Sequence, residues 1–285
     1  MSHGLDHHGG FTSSRKPMSA AYDALLDRVR ALAPQFRQSA DTAEQLRRLP
    51  PETEKALHDA GLFRILQPKR VGGAELDYVA LIDFSAEAAK GDASVGWNLA
   101  NLGSHHWMLG MFPQKAQDLL WNEDPDVLIA SSFVFPCGKA KKVKGGYELS
   151  GRWPFSSGVN PSRWNMLAGT VTSDDEADGA ELRIFLVPQS AYQTLDNWDT
   201  MGLRGTGSHD IIIEDCFVED AMTLAVRDIA GGPSPGSTLN PGPLYQLPVF
   251  ALFPFVLTGI ALGNAEACLQ DYLHTARHRA SQYNR

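Results

Sequence analysis

The chain has 285 residues, 43% of them hydrophobic and 20% charged, enough to bury a large core and to form more than one domain. A formal net charge of −8 excludes the basic face that phosphate-backbone binding needs, so nucleic acid is not an expected partner. Cys137, Cys216 and Cys268 are far apart and odd in number, which suggests neither a disulfide framework nor a metal cluster and fits a reducing cytoplasm.

Residues 1–17 lack the apolar core of a secretory signal and read as a disordered leader, with His3, His7 and His8 at most a weak metal site. Residues 18–125 read as a helical domain. Leu25, Leu26, Val29 and Leu32 recur at helical spacing, with Pro34 a point of interruption. Pro50-Pro51-Glu52 opens the next helix and Gly61 closes it. A helix is expected over 76–90, ended by Gly91, with Asp92 as N-cap of the following one. That segment, Ala93 to Met111, is apolar on most sides and predicts a buried helix carrying Trp97, His105, His106 and Trp107. A short helix follows Pro113.

The texture changes after Pro125, and residues 126–222 read as a β-domain. Strands are expected over Val127–Val134, Lys139–Val143, Tyr147–Leu149, Arg163–Val171, Leu182–Val187 and Asp210–Val218, with a hairpin turn at Gly145-Gly146. Asp174–Gly179 reads as a solvated acidic turn. Residues 223–240, rich in Pro, Gly and Ser, read as a linker to helices that begin at 241. Leu247–Gly263 is the most apolar run; its two prolines and its length favour a buried helix over a membrane span. Helices, then strands, then helices make an α+β fold rather than an alternating α/β one.

Within the β-region, Trp153-Pro154-Phe155-Ser156-Ser157-Gly158 sets two aromatics beside two hydroxyls and a glycine. Such a stretch suits a flat, polar-edged ligand: rings to stack on, hydroxyls for its edge, and a glycine for close backbone approach. It equally suits a β-corner with core aromatics.

Met201-Gly202-Leu203-Arg204-Gly205-Thr206-Gly207-Ser208 leading into Asp210–Val218, with Gly61-Leu62-Phe63, Pro68 and Gly72-Gly73, resembles the signatures of the acyl-CoA dehydrogenase superfamily. Gly103–Trp107, Ala130–Phe133 and Gly151–Gly158 are most similar to its two-component, reduced-flavin-dependent monooxygenases of the aromatic hydroxylase type. The resemblance covers roughly residues 40–280. It implies an N-terminal α-helical domain, a middle β-barrel or sandwich domain, and a C-terminal helical bundle that is short here. It also implies a homotetramer. The implied activity is that of an oxygenase component. Reduced, diffusible FMN (FAD is the alternative) from a separate NAD(P)H:flavin reductase reacts with O2 to a 4a-hydroperoxyflavin that hydroxylates an aromatic or polycyclic substrate.

Carried onto this sequence, the resemblance puts Ser156 beside flavin nitrogen 5, where its hydrogen bond holds back peroxide loss. Trp153, Phe155 and Ser157 line the flavin; Trp97 and Ser131 lie near flavin and substrate. His105 matches the histidine that approaches a phenolic oxygen. Arg204, Thr206 and Ser208 become polar or phosphate contacts. Arg279 is one of three arginines, with Arg277 and Arg285, placed to reach a neighbouring subunit's cofactor. His106 is read as structural. Neutral Gln246, on a segment expected to border the substrate, favours a neutral substrate. Two alternatives stand beside this reading. An acyl-CoA dehydrogenase needs a carboxylate base, yet Leu239–Ala265 contains no Asp or Glu. A non-catalytic scaffold of the same fold is the other.

Overall fold

The computed structural model describes residues 18–172 and 180–278; the leader, the acidic turn and Arg279 lie outside them. The first helix, α1 (Ala20–Leu46), is capped by the Ser19 side chain accepting from the Tyr22 amide, and buries Leu25, Val29, Phe36 and Ala43. Pro34 sits inside it without ending it. Helix α2 (Pro51–Asp59) has proline in its first turn, and Gly61 leaves it at φ 71°.

Helix α3 (Val79–Ala89) starts three residues later than the pattern suggests. Helix α4 (Ala93–Leu109) is capped by Asp92, whose carboxylate accepts from the Ser94 amide, and is buried on nearly every side. It is the floor on which the rest is laid. Helix α5 (Gln114–Glu123) completes the N-terminal layer.

The strands are β1 (Ile129–Ser132), β2 (Gly138–Val143), β3 (Gly146–Ser156), β4 (Trp164–Thr172), β5 (Glu181–Pro188), β6 (Gln193–Thr194), β7 (His209–Glu219) and β8 (Thr223–Ala225). They form one sheet in the order β6-β7-β3-β2-β4-β5-β8, with β1 parallel to β4. Strand β3 runs on through Trp153-Pro154-Phe155, well past the Tyr147–Leu149 the alternation suggests, because β7 pairs with it antiparallel along that length. Two register shifts, at Leu149/Gly151 and Trp153/Ser156, bend it on the way.

The segment read as a linker is packed, not free. Thr223–Ala225 pairs with β5, and Asn240 donates its side-chain amide to the Gly110 carbonyl (2.7 Å) and to Gln117 (2.9 Å). The C-terminal helices are α6 (Val249–Leu252) and, after one 3-10 turn, α7 (Val256–His278). The expected burial of the Leu247–Gly263 run holds on one face only. Val256, Ile260 and Ala267 are buried, while Leu262 and Leu269 are 61% and 57% exposed. On the packed face, Gly259 and Gly263 let α7 lie directly on α3; a Cβ on Gly263 would sit 2.0 Å from the Ala86 carbonyl oxygen. By length and composition alone, Val249–Arg277 is apolar enough to cross a membrane.

Candidate active site at the α4–β3 junction

His105 rises from α4 with Nδ1 2.5 Å from the carbonyl oxygen of Ile129 on β1. A carbonyl only accepts, so Nδ1 carries the proton and Nε2 keeps its lone pair. That Nε2 is buried and has no partner among the described residues. Burial pushes the imidazole down to about 4, against the pull of the Ile129 hydrogen bond, so it is neutral at pH 7. Phe133 stands edge-on to the ring at 6.1 Å and Phe253 lies nearly parallel at 6.4 Å. Phe250 meets Phe133 edge-to-face at 5.7 Å, so a cluster of phenylalanines packs beside the imidazole.

Ser131 lies on β1 two residues after Ile129 and is 5% exposed. Its neighbour Ser132 donates to the Pro154 carbonyl at 2.6 Å, which pins β1 to the end of β3. There Phe155 adopts a positive φ of 63° and is 61% exposed, its ring set edge-on to Trp198 at 6.2 Å. A non-glycine residue in this region costs energy, and the neighbouring Ser132–Pro154 bond helps hold it.

That kink redirects the side chains that follow. Ser156 is fully buried and its Oγ accepts from Asn165 Nδ2 at 2.8 Å, so the position expected beside flavin nitrogen 5 turns into the β-domain interior. The register shift at Trp153/Ser156 breaks strict alternation at this point of β3. Ser157 turns toward α4 instead. Its Oγ accepts from Trp97 Nε1 on α4 at 2.9 Å and lies 2.7 Å from Ser208 Oγ. Ser208 in turn is 2.7 Å from Thr206 Oγ1, and Asn101 Nδ2 approaches the Ser157 carbonyl at 3.4 Å. Gly158, at φ +69°, admits no side chain: a Cβ there would lie 2.8 Å from Asn98 Oδ1.

Three other expectations are corrected. Trp153 is no stacking shelf; it is fully buried and donates Nε1–H to the Ala168 carbonyl at 2.7 Å. Arg204 is no free phosphate contact. It donates to Asp199 (2.5 Å), to the Thr200 carbonyl (3.0 Å) and to the Glu44 carbonyl (3.1 Å), bracing its turn against α1. Gln246 is exposed and donates to the Pro241 carbonyl at 3.1 Å. Thr206 and Ser208 are 2% and 4% exposed, and their hydroxyls reach the site only through Ser157.

His106 accepts at Nδ1 from Trp121 Nε1 (3.1 Å), with Gln67 Nε2 at 3.3 Å, and burial pushes it down to about 3; its Nε2, like that of His105, has no partner among the described residues, but its ring stacks on Trp121. The sequence reading passed over Phe133, Phe250, Phe253 and Trp198. The clusters Phe133-Val134-Phe135-Pro136 and Phe250–Phe255 were the available signal, obscured because the two join only in space. Among the described residues no group of His, Cys, Asp or Glu could hold a metal ion.

Helices, one bent sheet, and helices again, with the site where α4 meets the end of β3, define a protein of acyl-CoA dehydrogenase fold. A family model for the acyl-CoA dehydrogenase N-terminal domain matches residues 19–120. The chain is 36% identical over 240 residues to the oxygenase subunit HsaA of a flavin-dependent monooxygenase from Rhodococcus jostii, covering 84% of this chain and 62% of that protein. It is 34% identical over 251 residues to the oxygenase component of an FADH2-dependent resorcinol hydroxylase from Rhizobium sp., covering 87% and 61%. The crystal structure of the HsaA monooxygenase from Mycobacterium tuberculosis superposes with a TM-score of 0.85 at 33% identity, covering 92% of this chain and 70% of that one. The chain thus spans a little over three-fifths of the length of the curated relatives it matches. It belongs to the flavin-dependent monooxygenase oxygenase components of the acyl-CoA dehydrogenase superfamily.

Proposed function

We propose that this chain is the oxygenase component of a two-component flavin monooxygenase that hydroxylates a neutral aromatic or polycyclic phenol. Reduced flavin comes from a separate reductase. FMN is the proposed form, and FAD the alternative that the FADH2-dependent relative supports. The observation that carries the reading is His105: a neutral, buried imidazole whose Nε2 has no partner among the described residues, with Phe133 and Phe253 against its ring.

These residues fit a flavin and a phenol. Phe155 offers an open ring and Ser157 a hydroxyl, while Gly158 lets the chain lie against Asn98 and Leu102 of α4. Reduced flavin, when bound, supplies the electrons that activate dioxygen for transfer of one atom to the substrate. The chain's own part is binding and proton handling. The phenylalanines hold an aromatic ring and exclude water. His105 Nε2 accepts the phenolic proton, which raises electron density on the ring being hydroxylated. Ser131, beside His105 on β1, is proposed as a polar contact to substrate.

An acyl-CoA dehydrogenase would need a carboxylate base, which one subclass takes from the helix that starts the C-terminal domain. Glu266, the first acid after the start of the C-terminal helices, is instead paired with Lys90 at 2.9 Å on the surface. The test is to mix the protein with reduced FMN, oxygen and a neutral bicyclic phenol. Hydroxylated product is expected, with less than one peroxide released per flavin. Peroxide equal to flavin with no product, across a panel of phenols, would leave a non-catalytic scaffold. Anaerobic reduction of bound flavin by an acyl-CoA would favour the dehydrogenase.

A further inference from the structure

Phe250 and Phe253 reach His105 from a stretch of chain that cannot hold itself in place. Residues 243–255 run as a 3-10 turn, the four residues of α6 and a second 3-10 turn, with Pro248 and Pro254 among them. Helical pieces this short have no stability of their own. Two side chains of the N-terminal layer grip the stretch by its main chain instead. Trp107, two residues after His105 on α4, donates Nε1–H to the Leu244 carbonyl at 2.8 Å. Tyr78, the residue before α3, donates its hydroxyl to the Leu252 carbonyl at 3.1 Å. The two rings meet edge to face at 4.9 Å and both are buried, so the two grips form one brace. Burial raises the Tyr78 phenol above the usual tyrosine range, which keeps it a donor. The Leu244 end is held a second time, by the Tyr245 hydroxyl donating to the Leu66 carbonyl at 2.9 Å. At the other end, among the described residues, no side chain but Tyr78 bonds the main chain of 249–255.

We infer that Tyr78 is a positioning residue for the reaction: through the Leu252 carbonyl its hydroxyl sets Phe253 against His105, and so fixes how tightly an aromatic substrate is held there. The inference rests on the proposed role of His105 and its phenylalanines. A phenylalanine side chain makes no hydrogen bond that could aim it, so its ring goes where the backbone points it. Phe253 lies between Leu252 and Pro254. Pro254 has no N–H to be gripped by and a fixed φ, so it cannot turn to compensate for a shift. The Leu252 carbonyl is the handle that remains, and Tyr78 holds it. From there the Phe253 ring lies within 19° of parallel to His105 at 6.4 Å and edge-on to Phe133 at 5.3 Å. In this scheme Tyr78 meets no substrate atom. It acts through one carbonyl and one ring, and Trp107 supports it by holding the Leu244 end.

Tyr78→Phe removes one hydroxyl and keeps the ring on Trp107, so the fold should survive. The affinity of the whole chain for 2-naphthol is measured by calorimetry with reduced FMN present and oxygen excluded. The hydroxylation rate at saturating 2-naphthol is measured separately. Tyr78→Phe should weaken 2-naphthol binding by up to about tenfold, the worth of one well-placed ring contact, while the saturated rate stays within about twofold. Phe253→Ala should weaken binding at least as much. In the Phe253→Ala background Tyr78→Phe should then add nothing, since the ring it aims is gone. A melting temperature lowered in Tyr78→Phe with 2-naphthol affinity unchanged would make the hydroxyl merely structural and overturn the positioning role. So would a full additional loss in the double variant. A wild type that neither binds nor hydroxylates 2-naphthol or any of a panel of neutral phenols overturns the reading of His105, and the role of Tyr78 with it.

Discussion

At the residue scale, His105 and Ser157 carry the chemistry and their surroundings set how they behave. His105→Ala should cost two to four orders of magnitude in the rate of phenol hydroxylation, about what a general base contributes, with flavin affinity nearly unchanged. The same burial leaves a pH signature. An unfolded histidine binds its proton near pH 6.5, whereas folded His105 stays neutral until about 4. The unfolded state therefore holds more protons between those values. The contribution of His105 to stability is complete above pH 6.5 and is lost as the pH falls toward 4, a change of about 3 kcal/mol. Thermal melts over that range should show the loss, and His105→Gln should flatten the His105 part of the slope; an unaltered slope would sink the assignment. Ser156 and Ser157 separate cleanly. Ser157→Ala should weaken flavin binding and raise peroxide release. Ser156→Ala should instead strand the Asn165 amide, cost about 1–3 kcal/mol of stability and leave coupling alone. The residue types at this site were legible in the sequence, but the direction of each side chain was not. Phe155's positive φ is set by the Ser132–Pro154 bond and by pairing with β7, contacts that no local pattern announces.

At the scale of elements, the helices were the easier reading because their signals are local. Asp92 caps α4 as its position before an apolar run suggests, and Asp92→Ala should lower stability by about 1 kcal/mol in a denaturation series. Strands β3 and β8 were harder. Pro154 and the two glycines within β3 argue against a long strand, and Thr223–Ala225 is too short to show alternation. Both exist because a partner strand elsewhere in the chain supplies their hydrogen bonds. The α3–α7 seam, closed by Gly259 and Gly263, was not legible, because an apolar run does not say which face of a helix packs and which stays open. Gly263→Leu should push α7 off α3 and cost several kcal/mol, read as a lowered Tm and lost helical ellipticity.

At the scale of the whole molecule, α7 carries Leu262, Leu269 and Leu273 along one face, exposed by 61%, 57% and 43%. A patch of this kind on a protein of this family calls for a cover. The homo-oligomer implied by the resemblance would supply one, and sedimentation should then show concentration-dependent association that Leu269→Glu with Leu273→Glu abolishes. The brace between α1 and the loop before β7 has a separate consequence, in time rather than space. Arg47 donates to Asp196 across 149 positions of sequence, and the Arg204 amide to Glu44 across 160. The turn bearing Thr206 and Ser208 therefore acquires its final shape only after the first helix made and a strand made much later have found one another. Contacts of such high order form late in folding, since the intervening chain must lose its freedom first. Helix α4 and most of the sheet can assemble with the site still unformed, so flavin recognition should be among the last properties to appear on refolding and among the first to fade as the fold loosens.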